Sequence, residues 1–451
     1  MKSRYWAPLS VLFVCLLLGG CLPSFTGQRP AGGPSKTPAA VPTSPGGVTG
    51  QHNAPAPEGT EQYEPEPVPE PEQNEEQALP DKKGENNEQA KQKPAKAVVT
   101  KAELIAVGDI MVHMPQLPGA YDSKHKRYRF DHFFKEVKPV LEQGDWSMAN
   151  LEAPIGGKAL GYSGFPRFNA PSEMAEALKK AGFNIVTNAN NHALDRGFAG
   201  VERTLVHLQK QGLITKGTAR SAAEAAKLTI IERQKIKMGL LAYTYGTNGI
   251  PLPKNKPYTV SLINENAMIS DIAKLRKAGA DFITIALHFG IEYETKPNEA
   301  QKQLARKLIA AGADIVAGSH PHVVQPFEIC EVTAADGTTR RGVIIYSMGN
   351  FISNQRGDLK DYGVIFKVAI EKNHTAGRTT IGSVTAIPTW VHRYKLHGLY
   401  RYSILPLEQS IAKRSIPAFP SSGYSTLQHQ LNRLNKRLHS MSAQPVQLAA
   451  Q

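Results

Sequence analysis

Cysteine and tryptophan are scarce in this chain of 451 residues, which has three of each. So few cysteines cannot form a framework of disulfides, so an apolar core must hold the fold together. Hydrophobic residues make up 41% of the sequence, which is enough for a sizeable core and excludes a wholly disordered protein. No apolar run approaches the roughly 20 residues that cross a bilayer, which excludes a polytopic membrane protein. At about 150 residues per domain, the length predicts two or three domains.

The N-terminal segment, residues 1–21, has the pattern of a bacterial lipoprotein signal. Lys2 and Arg4 make its start positive, the stretch 7–18 is mostly apolar, and two glycines precede Cys21. The apolar stretch has the length of a signal peptide and is too short to span a bilayer. Small residues before a cysteine resemble a lipobox, so we predict lipidation of Cys21 and a location at the extracytoplasmic face of the cell membrane. An ordinary secretion signal is the alternative.

Residues 22–97 are predicted to be a tether, because they contain 14 of the 32 prolines and little apolar surface to offset the entropy lost on folding. A proline-rich ligand for a partner is the alternative. The whole chain carries a net charge of +14, the tether −4 and the signal segment +2, which leaves +16 for residues 98–451. Such a basic domain is expected to attract membrane lipid or an anionic polymer. Nucleic acid is not an expected partner, since an exported lipoprotein rarely meets it.

Strand and helix patterns alternate from about residue 98 onward. The predicted strands lie at 103–107, 146–151, 184–187, 227–244 (two strands), 282–287 and 314–317, with further strands at 325–332, 342–347, 362–370 and 379–386. The predicted helices lie at 131–143, about ten residues after Ser172, 195–211, 264–278, 297–311 and 424–439. This alternation predicts an α/β fold with parallel strands and crossover helices, and the later strands predict a second sheet packed on the first. We predict one domain at 98–410, followed by a C-terminal helix and tail at 411–451.

Polar side chains follow five of these strands at the point where each strand ends. Open α/β sheets bind ligands at such strand ends. Histidines and carboxylates gathered there would repel each other or lose hydration, and a divalent cation removes that conflict. Mixed carboxylate, imidazole and amide ligands suit Mn²⁺, Fe²⁺ or Zn²⁺. We predict one or two such ions, able to promote displacement at phosphorus. The candidates are Asp109, His113, Asn150, Glu152, Asn191, His192, Asp195, His288, His320 and His322.

Each candidate also has a purely structural interpretation. The pair Gly108-Asp109 is common in turns, and the Asn-Asn-His sequence ending at His192 fits a helix cap. His288 fits a buried core histidine, and His113 fits the first turn after a strand. Only the joint occurrence at five strand ends favours a metal site.

Six motifs occur in the order found in the CapA family of capsule-synthesis proteins, which the sequence resembles over roughly 102–355. They are VGDIM from Val107, NLEAP from Asn150, ANNHALDRG from Ala189, HFGIEY from His288, GSHPHVVQP from Gly318 and YSMGNF from Tyr346.

The resemblance implies a four-layer α-β-β-α sandwich similar to calcineurin-like metallophosphoesterases. It assigns His192 a catalytic position beside the scissile phosphate, with Asp195 orienting the ring. In phosphoesterases of this kind a histidine stands two residues after the first aspartate, but Met111 occupies that position here. A one-metal site is therefore an alternative, and His113 and Asn150 are candidates for an additional contact to metal or substrate. The metal ligands that it implies are Asp109, the bridging carboxylate Glu152, Asn191, His288, His320 and His322.

The resemblance further implies a role in the synthesis or export of poly-γ-glutamate, an anionic capsule polymer, beside a membrane-bound ligase complex. Two function classes remain open: a metal-dependent hydrolase of phosphoester type, and a non-catalytic assembly or export factor that binds the polymer. A phosphoesterase unrelated to capsule is a third, because one fold serves many substrates.

Overall fold

The computed structural model describes residues 97–450. The predicted signal segment, Cys21 and the tether up to residue 96 lie outside the described residues. Within the described part of the chain, no helix is both long and apolar enough to cross a membrane.

Most of the described residues belong to strands and helices. The strands are β1 (Val99–Ile110), β2 (Tyr121–Asp122), β3 (Arg127–Tyr128), β4 (Trp146–Leu151), β5 (Ile185–Thr187), β6 (Ile214–Lys216), β7 (Ile230–Arg233), β8 (Ile236–Thr244), β9 (Phe282–His288), β10 (Ile315–Ser319), β11 (Phe327–Thr333), β12 (Thr339–Ile345), β13 (Asn350–Ile352), β14 (Tyr362–Asn373), β15 (Arg378–Leu396), β16 (Leu399–Pro406) and β17 (Val446–Ala449). The α-helices are α1 (Leu117–Ala120), α2 (Asp131–Phe134), α3 (Lys138–Leu141), α4 (Glu173–Ala181), α5 (Gly197–Lys210), α6 (Ala222–Ala226), α7 (Glu265–Lys277), α8 (Glu299–Ala310), α9 (Leu407–Lys413) and α10 (Gly423–Leu438).

The strands form two large sheets. The first has the order β16-β15-β14-β1-β4-β5-β6, with β13 paired beside β1, and the second has the order β17-β11-β12-β10-β9-β8-β7. In the first sheet β1, β4, β5 and β6 run parallel, and in the second β8, β9, β10 and β12 do. The carboxyl ends of parallel neighbours meet at one edge of a sheet, so residues that follow these strands come close together.

The two sheets pack face to face between layers of helices. Alternate residues of β1 point to opposite faces: Leu104 and Ala106 enter the core between the sheets, and Ile105 and Val107 enter the core under α4. A third core lies between the second sheet and α7 and α8. The predicted four-layer α-β-β-α sandwich is confirmed. Both sheets and these three cores are built within residues 97–450, which we call the folded body.

The predicted secondary structure was wrong in two places, and it also left out short strands such as β6, β13 and β17. The helix predicted over 131–143 is broken into α2 and α3, because Pro139 lacks the N–H that a continuous helix would donate at that point. The strand predicted at 379–386 extends to Leu396 and turns back into β16, which the sequence analysis did not predict.

The C-terminal segment after residue 410 lies against the sandwich. Leucines of α10 join the core between the sheets, and β17 pairs in parallel with β11. The division at residue 410 stays a prediction.

Candidate metal centre

The candidate residues come from five strand ends of the two sheets. Asp109 lies near the end of β1, and Glu152 directly follows β4. Asn191 lies in the loop after β5, and His288 ends β9. After β10, His320 and His322 adopt left-handed backbone conformations with φ values of +99° and +59°, which non-glycine residues rarely adopt. Backbone strain of this kind clusters at functional sites.

Two groups of three side chains have the donor types and spacing of a metal site. One is Glu152, His288 and His320, and the other is Asp109, Glu152 and His322. Within each group, one donor atom from every residue lies within 4.8 Å of the others, and all the residues are buried. Glu152 belongs to both groups, which is the arrangement expected of a carboxylate that bridges two cations.

The Glu152 carboxylate is fully buried without a hydrogen-bond partner on either oxygen. The nearest imidazole nitrogens, His288 Nε2 and His322 Nε2, lie 3.3 and 3.6 Å from its Oε1 and form no hydrogen bond with it. Burial, together with the nearby charge of Asp109, raises the pKa of Glu152 well above its usual value. A buried carboxylate without a partner is costly, and a bound cation would remove that cost.

The imidazoles of His288 and His320 are held in the neutral form that binds metals. Burial and the neighbouring imidazoles lower the pKa of His288 well below its usual value. Burial and His322 lower the pKa of His320 to about 4, and His320 Nδ1 is buried without a hydrogen-bond partner. A neutral imidazole keeps a lone pair for a cation. The residues present therefore fit a divalent metal.

Asn191 presents its oxygen to the same group. Its Oδ1 lies 2.8 Å from His288 Nε2, close to the roughly 3 Å between neighbouring donors that each lie about 2.1 Å from one ion. Its Nδ2 donates a hydrogen bond to Asn248 Oδ1 at 3.1 Å, which fixes the orientation of the amide. On the other side of His288, Nδ1 lies 2.9 Å from Ser319 Oγ. Outer contacts of this kind hold metal ligands in place.

On the Asp109 side, two asparagines complete the surroundings. Asn150 Nδ2 donates a hydrogen bond to Asp109 Oδ1 at 2.8 Å, so this amide positions the carboxylate. Asn350, paired beside Asp109 in β13, places its Oδ1 3.1 Å from His322 Nδ1, and Asp109 Oδ2 lies 3.1 Å from the same nitrogen. Both hydrogens of the Asn350 amide are used, by Gln355 Oε1 at 2.9 Å and Lys360 O at 2.7 Å, so its oxygen must face the site.

His113 belongs to neither group of metal-binding side chains among residues 97–450. Its Nε2 lies 3.0 Å from Ser353 Oγ, and its ring packs edge-on against Phe168 with centroids 5.0 Å apart. Burial lowers its pKa to about 4. The side chain of Met111 is buried with Ala153 and Phe168.

His192 and Asp195 form a pair beside the metal-binding groups. His192 Nδ1 lies 2.8 Å from Asp195 Oδ2, which also accepts a hydrogen bond from the Phe168 amide at 2.7 Å. The Phe168 ring packs edge-on against the imidazole, with centroids 4.8 Å apart. These contacts hold one imidazole nitrogen toward Asp195 and leave Nε2 for a substrate.

Several residues of the site were not singled out from the sequence. Tyr245 is half-exposed, and its ring lies 4.6 Å from that of His320; Tyr293 lies 6.2 Å from His322, with Lys360 Nζ 4.9 Å above its ring. Asn350, inside the quoted YSMGNF motif, and Tyr293, inside the quoted HFGIEY motif, carried a local signal. The others reach the site through loop folding, which their neighbours in sequence do not reveal.

Asn350→Ala is expected to weaken binding of Mn²⁺ by the Asp109, Glu152 and His322 group about 10- to 100-fold, the usual loss when a contact supporting a ligand is removed. The group containing His288 keeps its affinity. Isothermal titration with Mn²⁺ checks this, with exposed Asn432→Ala on α10 as the control. Equal affinities for both variants would contradict a role of Asn350 at the metal.

Comparisons with known proteins bear on this centre. The family model of the bacterial capsule synthesis protein PGA_cap matches residues 103–355. The chain is 28% identical to capsule biosynthesis protein CapA of Bacillus anthracis over 286 residues, which are 61% of this chain and 66% of that protein, just under two thirds of its length. It is 32% identical to PGA biosynthesis protein CapA of Bacillus subtilis strain 168 over 278 residues, covering 60% and 68%.

Among solved structures, the chain is similar to an NAD nucleotidase of Haemophilus influenzae, with a TM-score of 0.41 and 11% identity over 75% of this chain and 61% of that one. It is also similar to a calcineurin-like phosphoesterase of Bacillus subtilis, with a TM-score of 0.39 and 16% identity over 75% and 99%.

Proposed function

Because this chain belongs to the bacterial capsule synthesis protein family PGA_cap, we propose that it acts in the synthesis or export of poly-γ-glutamate as a metal-dependent hydrolase of phosphoester type. The relatives named as capsule and PGA biosynthesis proteins support the polymer. The hydrolytic part of the proposal rests on the side chains described above.

The observation that carries the proposal is the buried, unpartnered carboxylate of Glu152 between two sets of imidazole and carboxylate donors. A site meant only for packing would pair this group or replace it with an apolar side chain, because burying it alone is costly. Divalent cations held on both sides would supply positive charge to a phosphoryl oxygen and lower the pKa of an attacking water.

The chain's own residues then have distinct tasks. Asp195 holds the imidazole of His192 through Nδ1, so His192 Nε2 is placed to donate a proton to a departing oxygen or a hydrogen bond to a phosphoryl oxygen. Phe168 covers the imidazole from the side and shields it from water. The half-exposed rings of Tyr245 and Tyr293 stand at the edge of the centre, where a substrate would enter.

The test combines metal analysis and turnover on one preparation. We expect the purified protein to bind two Mn²⁺ ions and to hydrolyse bis(p-nitrophenyl) phosphate or p-nitrophenyl phosphate, and EDTA to abolish the activity. His192→Ala should lose activity with its metal content unchanged, whereas the exposed control His429→Ala should keep both. Full metal content with no hydrolysis of either ester would contradict the hydrolase.

A non-catalytic assembly or export factor is the second candidate, and the net charge of +16 on residues 98–451 favours it, since a basic domain attracts a polyanion. Cells that carry His192→Ala distinguish the two. Under the hydrolase proposal their polymer output falls, and under the assembly proposal it stays at the wild-type level.

We also propose that the protein is anchored to the extracytoplasmic face of the cell membrane through lipidated Cys21. Replacing Cys21 by Ser is expected to move the protein from the membrane fraction to the soluble extracytoplasmic fraction, because acylation of this residue would be lost. Fractionation and immunoblotting measure the shift, with Cys330→Ser as the control, since Cys330 is buried in the folded body. A Cys21 variant that stays in the membrane fraction as fully as the wild type does after a high-salt wash, which releases protein held at the surface by charge, would refute lipid anchoring at this residue.

A further inference from the structure

A β-hairpin projects beyond the first sheet at the end that carries the candidate metal centre. Val107 of β1 lies opposite Ile365 of β14, which lies opposite Ile387 of β15. From that level β15 continues for nine residues to Leu396, roughly 30 Å at about 3.3 Å per residue, and beyond Trp390 its ladder partner is β16. The end of the hairpin therefore stands about 20 Å beyond the level of Asp109.

The hairpin is well defined in its turn and at its base. Leu396 pairs with Leu399 across a two-residue turn in which His397 and Gly398 have φ values of +51° and +79°, the tight turn that suits twisted hairpins. At the base, the Tyr402 hydroxyl donates a hydrogen bond to Asn354 Oδ1 at 2.6 Å. The turn and the hydrogen bond at the base therefore fix the conformation of the end of the hairpin.

The end of the hairpin combines exposed apolar side chains with basic ones, unlike an ordinary polar turn. We call residues 393–401 the hairpin tip. It contains Leu396 and Leu399, exposed by 44% and 40%, and Tyr400, exposed by 37%. Two basic residues of the tip, Arg393 and Lys395, accompany them, and no acidic residue occurs anywhere in 389–406. The third, Arg401, donates a hydrogen bond to the backbone oxygen of Gly119 in α1.

Two basic side chains of the hairpin tip lie against its aromatic ring. The Arg393 guanidinium lies 4.7 Å and the Lys395 ammonium 5.4 Å from the centroid of the Tyr400 ring. The order of these groups matches the layers of an anionic bilayer surface: the end is apolar, an aromatic ring lies beside it, and cations surround that ring. There leucine reaches the acyl boundary, tyrosine lies among the headgroups, and Arg and Lys meet phosphate.

We propose that the hairpin tip docks on the surface of an anionic lipid bilayer. Because the tip and the metal centre lie at the same end of the sheets, docking brings the centre to within a few tens of ångströms of the membrane surface. A substrate chain that extends about 20 Å or more from the membrane surface would then reach the centre. The proposal does not depend on hydrolysis or on lipidation of Cys21.

Vesicle co-sedimentation tests it with a chain that begins at residue 22, which lacks the predicted acylation site and keeps the whole folded body. At 0.15 M salt we expect the wild type to bind vesicles of phosphatidylglycerol and phosphatidylcholine. The double variant Leu396→Ser with Leu399→Ser should bind the same vesicles at least fivefold less. The matched control, Val206→Ser with Leu228→Ser, changes two exposed apolar residues elsewhere and should bind within twofold of the wild type. Circular dichroism verifies that each variant folds.

A second pair of substitutions tests the charges and covers the case in which the leucine variant fails to fold. Arg393→Gln with Lys395→Gln should lower binding to the anionic vesicles at least threefold. The proposal is overturned if the wild type does not bind these vesicles, or if the folded leucine variant or the charge variant binds as the wild type does. It is also overturned if soluble poly-γ-glutamate binds the tip and vesicles do not, or if the leucine substitutions only dissolve a dimer of this chain.

Discussion

The substitution Glu152→Gln is expected to abolish binding of divalent cations by both groups of side chains. Glu152 is the one residue common to the two groups, and a glutamine amide cannot supply the negative charge of a bridging carboxylate. Hydrolysis of phosphate esters should fall to background in the same variant. Elemental analysis and Mn²⁺ titration measure the loss, and Glu136→Gln, an exposed carboxylate between α2 and α3, serves as the control. Retention of two ions by the Glu152 variant would overturn the bridging role.

The same substitution should stabilise the metal-free protein at neutral and alkaline pH. The raised pKa of Glu152 means that the folded state binds its proton more tightly than the unfolded state, so this carboxyl costs stability as the pH rises above its unfolded value. Replacing the buried charge with a neutral amide of nearly the same size should recover about 1–3 kcal/mol in the free energy of unfolding. The gain should fade as the pH falls below about 4, where the carboxyl is protonated in both states.

Urea unfolding in EDTA between pH 5 and pH 8 measures this effect. We expect the difference between Glu152→Gln and the wild type to grow with pH. A Glu152 variant that is less stable than the wild type across that range, with no metal present, would show that the carboxylate has a partner within the protein.

The second large effect is expected for His192→Ala, which should lower the turnover number about 10²- to 10⁴-fold and leave the metal content unchanged. His192 lies outside both metal-binding groups, and its Nδ1 is held by Asp195 at 2.8 Å. Asp195→Asn should give a smaller loss, because the neutral amide holds the imidazole through Nδ1 less firmly than the carboxylate does. A His192 variant that loses metal would instead make His192 a ligand.

Much of the fold could be predicted from local patterns. The buried stretches 104–107 of β1 and 282–287 of β9 are largely apolar, and each is followed within two residues by a polar side chain, Asp109 or His288. The convergence of such ends within each sheet follows from parallel strand order, which the alternation of strands and helices predicts, whereas the ends of the two sheets meet only through the packing of one sheet on the other. The break between α2 and α3 could have been anticipated from Pro139, whereas the pairing of β13 beside β1 depends on distant segments and has no local signature.

The parts of the centre that were missed are those that loops deliver. Asn248 and Tyr245 follow β8, yet they reach Asn191 and His320 only because the loop after β8 folds back over the strand ends. Asn350 lies 241 positions from Asp109 and becomes its neighbour through strand pairing. The first relation leaves no pattern in the residues around it, and the second is marked only by the YSMGNF motif that contains Asn350.

The amino-acid sequence by itself determined which strands are buried and which polar residues follow them. It also determined that the folded body is basic. These follow from side-chain hydrophobicity and backbone preference, which act between near neighbours. Only the tertiary structure decided that Glu152 lies without a partner between two groups of donors and that β15 and β16 carry a basic, leucine-tipped hairpin past the same edge. Both depend on the packing of one sheet on the other and on long-range strand pairing, which no short stretch of sequence specifies.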